Sequence, residues 1–81
     1  MEATPKLMSY SVPTPAGGQI LRITNDGEIY THAVVREVVP YELYAAEWCT
    51  SIDDAIAVPD TGVWSAVVAV TAREVETRIL D

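Results

Sequence analysis

The chain has 81 residues, with 12 acidic and 5 basic side chains that give a net charge of −7. Its length suits one domain with a small core, and a hydrophobic content of 49% argues against an intrinsically disordered chain. One histidine and one cysteine exclude an internal disulfide and leave too few side chains for most catalytic or transition-metal sites.

The first predicted element is a strand over Met8–Val12, where apolar and polar residues alternate with the period of a half-buried strand. Pro13 ends this strand because proline cannot donate a hydrogen bond to a sheet. We expect one domain over residues 1–81, with a flexible segment over residues 1–6. Residues 13–18 are rich in proline and glycine, which predicts a linker between the first strand and a hairpin.

The hairpin is predicted at Asn25-Asp26-Gly27, between residues 19–24 and 28–39. A three-residue loop ending in Gly27 pairs Ile23 with Ile29 and separates the two faces better than a two-residue loop does. The expected core face then holds Leu21, Ile23, Ile29, Ala33 and Val35. The opposite face holds Arg22, Thr24, Glu28, Tyr30 and His32.

Residues 41–49 follow both a strand and a helix periodicity, and we favour a strand because a new helix start follows directly. Ser51 has the N-cap residue type, and Asp53 and Asp54 complement the unpaired N–H groups of a first helical turn. Pro59 limits the length of this helix.

The β-branched residues after Gly62 predict a strand over residues 63–72, and residues from 73 onward fit either a second strand or a terminal helix. The predicted fold class is α+β. We expect a small single domain, with an antiparallel sheet of about four or five strands and one or two helices packed on it.

Two groups of side chains have the residue types of a catalytic or a metal site, but a structural role explains each of them better. Cys49 and His32 could pair as nucleophile and base, but no catalytic signature surrounds them, and an unpaired cysteine is usually a small buried hydrophobe. Asp53, Asp54 and Asp60 lack the spacing of a calcium loop. We therefore expect no enzyme activity, no metal and no cofactor.

The strongest functional signal is a stretch from Glu37 to Ala72 that has six carboxylates and no lysine or arginine. If residues 41–49 pair beside the hairpin, the face opposite the core carries aromatic and acidic side chains together, as interfaces do. The predicted binding residues are Tyr30, Glu42, Tyr44, Glu47, Trp48, Asp53 and Asp54, with His32 on the same face as Tyr30.

The sequence predicts a small acidic protein-binding module that occupies a basic, nucleic-acid-binding surface of a partner protein. Phages encode short acidic chains of this kind as inhibitors of host enzymes. This analogy rests on size and charge, and no sequence motif supports it. The alternative is a homo-oligomeric accessory or structural subunit, in which the strand over Met8–Val12 adds to a neighbour's sheet edge. We expect a cytoplasmic protein without direct nucleic-acid or membrane binding, because bases are scattered and no apolar run is long enough to span a bilayer.

Overall fold

The computed structural model describes residues 6–59 and 64–75. It contains six strands and one helix in the order β1 (Met8–Pro13), β2 (Gln19–Thr24), β3 (His32–Val39), β4 (Leu43–Cys49), α1 (Ile52–Ile56), β5 (Ser65–Ala69) and β6 (Thr71–Glu74). The strands form two antiparallel sheets of three strands each: sheet 1 in the order β2-β1-β6 and sheet 2 in the order β4-β3-β5. A strand-dominated domain with a short helix is confirmed, whereas the single sheet of four or five strands is replaced by two smaller sheets.

Several predicted elements keep their place along the chain. The strand predicted at residues 8–12 is β1, and the strand interpretation of residues 41–49 is confirmed by β4. Residues 1–5 of the segment predicted to be flexible lie outside the described residues. No helix in the described ranges is long and apolar enough to cross a membrane.

The predicted linker is instead a turn that closes a hairpin between β1 and β2. Within this turn the Thr14 carbonyl accepts from the Gly17 N–H at 3.0 Å, and the Thr14 N–H donates to the Gly18 carbonyl at 2.9 Å. Pro15 fits the second position of such a turn because its φ is already fixed, and Gly17 provides the positive φ of 93°. Proline and glycine therefore reverse the chain here.

The predicted hairpin at Asn25-Asp26-Gly27 is wrong, because this segment carries the chain from sheet 1 to sheet 2. Ile23 lies opposite Ser9 of β1 and not opposite Ile29. The Asp26 carboxylate holds the loop by accepting from the Glu28 N–H at 2.9 Å, while Gly27 supplies a φ of 81°. Residues 25–27 do form a turn, but β2 pairs with β1 through the hairpin that closes at residues 14–18, so it does not pair with β3.

The change of partner also alters which residues form the core. Of the predicted core face, Ala33 and Val35 are buried, whereas Leu21, Ile23 and Ile29 are 60%, 59% and 70% exposed. Leu21 and Ile23 lie on the outer face of sheet 1, since they pair with Ser11 and Ser9 while Tyr10 and Val12 point inward.

The core lies between the inner faces of the two sheets. Val12 of sheet 1 packs against Ala33 and Val35 of sheet 2, and all three are almost fully buried. Partly buried apolar side chains surround them: Ile20, Tyr44, Ala46, Trp48, Val68 and Val70. Tyr10 extends this layer, with its ring edge-on to Tyr30 at a centroid distance of 5.0 Å.

The predicted strand over residues 63–72 is divided at Val70 into β5 and β6, and it extends to Glu74. The Val70 N–H donates to Thr31 beside β3, whereas the Val75 N–H donates to Leu7 beside β1, both at 2.9 Å. Backbone N–H groups alternate between the two edges of an extended chain. Strand β5 therefore pairs with β3 along one edge, and β6 pairs with β1 along the other edge. This segment joins the two sheets; Val63 and residues 76–81 lie outside the described ranges.

Helix α1 covers the outer face of sheet 2. Ser51 caps it as predicted, since its hydroxyl accepts from the Asp54 N–H at 3.1 Å, and the helix already ends at Ile56, before Pro59. Ala55 is buried against Val34, Cys49 and Val58, which form a second small cluster.

The buried hydroxyl of Tyr10 gives a stability prediction. It donates to the Glu28 carbonyl at 2.7 Å, so Tyr10→Phe should lower the free energy of unfolding by about 1 kcal/mol through loss of this hydrogen bond. Urea unfolding followed by tryptophan fluorescence measures the change. Tyr41→Phe is the matched control, because Tyr41 is exposed; an equal loss in both variants would contradict the assignment.

Candidate functional site

The fold distributes the predicted binding residues over both faces of sheet 2, the start of α1 and the turn between β3 and β4. Tyr44 and Trp48 point into the space between the sheets and pack on the core, and Tyr30 contacts Trp48 at a ring distance of 6.4 Å. These three residues therefore do not form the outward aromatic face that the sequence predicts. The alternation within β4 was correct, but the face with the aromatic residues is the inner one.

The acidic members of the predicted set lie elsewhere. Glu47 is on the outer face of sheet 2 and forms an ion pair with Arg36 at 2.8 Å. Asp53 and Asp54 occupy the first turn of α1, where the helix N-terminus accounts for their charge. Glu42 is exposed in the turn between β3 and β4. Among the described residues, the carboxylates of the acidic stretch therefore lie on different parts of the fold; Asp60 lies outside the described residues.

A different site is built around Glu37, which the sequence analysis counted among the acids but did not select. The Glu37 pocket encloses about 350 Å³ and is lined by Pro15, Ala16, Glu37, Tyr41, Tyr44 and Trp64. Its walls come from three parts of the chain: the β1–β2 turn, the β3–β4 hairpin and the residue before β5.

Backbone pairing fixes the relative positions of the central residues. Glu37 and Tyr44 are cross-strand partners on the inner face, and the Glu37 N–H donates to the Trp64 carbonyl at 3.0 Å. The rings of Tyr44 and Trp64 stand edge-to-face at 6.2 Å. Glu37 and Tyr44 are therefore held by paired strands, which fix side-chain positions more precisely than loops do, while the other lining residues come from turns and from the position before β5.

Tyr41 forms the outer rim of the pocket. It is 85% exposed and has a φ of 61°, which is uncommon for a residue other than glycine. Trp64, which also lines the pocket, is 47% exposed. Two large aromatic side chains thus stand at the pocket mouth, where they can contact a bound group.

The Glu37 carboxylate retains hydrogen-bonding capacity. Its Oε2 accepts from the Tyr41 N–H and from the Tyr44 hydroxyl, both at 3.4 Å, which are long contacts. Burial and the nearby Glu37 charge raise the pKa of Tyr44, so this phenol remains protonated and a donor at neutral pH. Among residues 6–59 and 64–75, no lysine or arginine forms an ion pair with Glu37.

A second group that combines a carboxylate with a tyrosine hydroxyl lies near the opposite end of β1, and it includes an arginine of this chain. In the Asp26 cluster, defined as Arg22, Asp26 and Tyr30, the Tyr30 hydroxyl donates to the Asp26 carboxylate at 2.7 Å. Arg22 lies over the Tyr30 ring at 5.3 Å and reaches Asp26 at 3.6 Å. The Tyr30 hydrogen bond, followed by the Glu28 N–H and Arg22, lowers the pKa of Asp26.

Cys49 and His32 are cross-strand partners, yet each has another contact. The Cys49 thiol donates to the Glu47 carbonyl at 3.6 Å, and the His32 Nδ1 is 2.9 Å from the Thr31 hydroxyl. Burial raises the pKa of Cys49, and the charges of Glu47 and Asp54 add to this effect. This environment disfavours the thiolate that nucleophilic catalysis needs.

The comparisons with known proteins give no relative. No family model matches the chain, and no curated protein or solved structure matches it. Within the described ranges, no group of three or more histidine, cysteine, aspartate or glutamate side chains is placed to hold a metal ion.

The sequence analysis did not select Tyr41 and Trp64, because their place at the pocket depends on the fold. The left-handed backbone of Tyr41 has no sequence signal, and Trp64 reaches Glu37 only through the pairing of β5 with β3. The period-two spacing of Tyr44 and Trp48 did identify two aromatic residues on one face of β4. It could not tell whether that face would be buried.

The electrostatic environment of Cys49 predicts its reactivity. Glu47→Gln should lower the pKa of the thiol, because it removes a nearby negative charge, and should accelerate iodoacetamide alkylation at mildly alkaline pH. The rate is measured against pH by mass spectrometry, so that a shift of the midpoint is separated from a change in access. Glu42→Gln is the charge-matched control. An unchanged midpoint in Glu47→Gln would refute this account of the thiol.

Proposed function

We propose that this chain is a small acidic protein-binding module that docks on a basic surface of a partner protein through the Glu37 pocket. The observation that carries the proposal is a carboxylate without an ion-pair partner among the described residues, set between exposed aromatic side chains. A partner's cation would supply the missing charge. The proposal includes a cytoplasmic setting and, in the form of a phage-type inhibitor, competition with nucleic acid for that basic surface.

The long-range charge supports the same partner class. A net charge of −7 on 81 residues attracts positively charged surfaces and repels phosphate backbones. Glu42 adds an exposed carboxylate to the turn that carries Tyr41. Such charge speeds the encounter with a basic protein more than it strengthens the final complex.

The short-range contacts would come from the aromatic side chains. Tyrosine and tryptophan are enriched at interface hot spots, because they bury a large area with few rotatable bonds. Tyr41 and Trp64 are exposed at the mouth of the pocket, and Tyr44 forms its wall. An interface centred here would combine aromatic anchors, which are enriched in interfaces, with one carboxylate for a cation of the partner.

Affinity capture with variants tests this function. The immobilised wild-type chain should retain a basic protein from its own cells that elutes with salt, because exposed charge pairs are screened. Glu37→Gln and Tyr41→Ala should each reduce retention of that protein at least about tenfold, in the range of a hot-spot residue.

The control for this capture is Glu28→Gln, which removes the same charge near the opposite end of β1. Retention by this variant should match that of the wild type. The proposal is refuted if no basic protein elutes with salt, or if all variants retain it equally.

Self-association is the second candidate function, and the outer face of sheet 1 supports it. Leu21 and Ile23 border a depression of about 460 Å³ whose lining, among residues 6–59 and 64–75, includes Arg73 and no carboxylate. Two copies of an acidic chain would repel each other least at such a face. This candidate uses the outer face of sheet 1 and not the strand addition expected for residues 8–12, because β1 is the central strand of sheet 1 and pairs on both edges.

Sedimentation equilibrium tests this second candidate. Association through sheet 1 predicts a dimer mass at high micromolar concentration, and Leu21→Asp should shift the population to monomers. Ile29→Asp is the control, since Ile29 is equally apolar and exposed but does not line this depression. A wild-type monomer throughout the concentration range would rule this candidate out.

A further inference from the structure

We propose that the group bound in the Glu37 pocket is a single arginine side chain of the partner protein, and that the pocket selects arginine over lysine. This inference rests on the proposed function and specifies the chemistry of the same site. It concerns the shape of the bound cation, whereas the proposed function requires only a basic surface.

The first argument is the free capacity of the Glu37 carboxylate. A carboxylate has about four lone-pair positions, and the contacts to Tyr41 and Tyr44 both use Oε2. Within the described ranges, Oε1 accepts no hydrogen bond from the protein. A guanidinium can bridge both oxygens with two parallel N–H groups, whereas an ammonium presents a single point charge.

The second argument is the character of the walls. Tyr41, Tyr44, Trp64 and Pro15 give the pocket a mostly apolar lining around one charge. A guanidinium is more weakly hydrated than an ammonium and stacks on aromatic faces, so it loses less on leaving water for such a lining. Tyr44 and Trp64 stand edge-to-face at a centroid distance of 6.2 Å, so the lining contains two aromatic rings in different orientations.

The third argument is the Asp26 cluster within the same molecule. There, a carboxylate accepts a tyrosine hydroxyl, and an arginine both covers the tyrosine ring and reaches the carboxylate. The Glu37 pocket repeats the first half of this arrangement, since Glu37 accepts the hydroxyl of Tyr44. No arginine of the described residues supplies the second half. The Tyr44 contact, at 3.4 Å against 2.7 Å for Tyr30, is also the weaker of the two hydrogen bonds, so Glu37 is less satisfied within the chain than Asp26 is.

The test is a titration of the full chain with two blocked tripeptides, acetyl-Gly-Arg-Gly-amide and acetyl-Gly-Lys-Gly-amide. Binding is followed by the NMR signals of the two indole N–H groups, which Trp64→Phe assigns. We expect the arginine peptide to bind about fivefold or more tightly than the lysine peptide, because it can make the paired hydrogen bonds and the stacking contact. The Trp64 signal should shift, while that of Trp48 stays.

Variants locate the selectivity. Glu37→Gln should abolish the preference for arginine, and Glu37→Asp, which keeps the charge but withdraws it by one methylene, should reduce it. Tyr41→Ala should weaken binding of the arginine peptide, and Glu28→Gln should leave it unchanged. Amide spectra of each variant confirm that the fold is retained, so that a loss of binding is not a loss of structure.

Decamers of arginine and of lysine separate this inference from the proposed function. Equal affinity for the two decamers, reduced equally by Glu37→Gln, would overturn the selection of arginine and support the basic-surface function. A shift of Trp48 in place of Trp64 would also overturn the inference, because the peptide would then bind elsewhere. If neither decamer binds at low salt, both the inference and the proposed function fail.

Discussion

The contact between the inner faces of the two sheets holds this structure together, and it is small. Val12 from sheet 1 meets Ala33 and Val35 from sheet 2, and Tyr10 closes one end of the layer with a hydrogen bond to the loop that joins the sheets. A chain of this length has little apolar surface to bury, so each of these contacts is a large fraction of its stability. Strands β5 and β6 also connect the sheets, since they follow each other in the chain and each pairs with a different sheet.

This sheet contact also places the Glu37 pocket. When the inner face of β1 packs on β3, the turn after β1 comes to lie beside the end of β3, which brings Pro15 and Ala16 close to Glu37. The pairing of β3 with β4 and β5 then adds Tyr44 and Trp64. The pocket is thus an end of the layer between the sheets, where large side chains remain partly exposed because no further strand covers them in the described residues.

The fold shows which of the described acidic side chains have a positive group beside them. Much of the acidity has local compensation: Glu47 pairs with Arg36, Asp26 with Arg22, and the residues at the start of α1 with the helix N-terminus. Glu37 has hydrogen-bond donors but no cation in the described ranges. A count of acids along the sequence therefore gives the sign of the net charge, whereas the ion pairs show which of the described carboxylates have a cation beside them.

The sequence by itself determined the local elements. Alternation predicted β1, and the helix start that follows residue 50 decided between strand and helix for β4. The residue types at Ser51 and Asp54 predicted that helix start, and the composition established a small acidic chain. These features follow from a few neighbouring residues, which is why they could be predicted.

Only the tertiary structure decided which strands pair, which face of β4 is buried, and that Glu37, Tyr41 and Trp64 share a pocket. The turn residues at 14–18 and at 25–27 are both compatible with a hairpin, so local chemistry cannot choose between them. Pairing depends on contacts between residues far apart in the chain, and the period of a strand gives its two faces without saying which one meets another sheet.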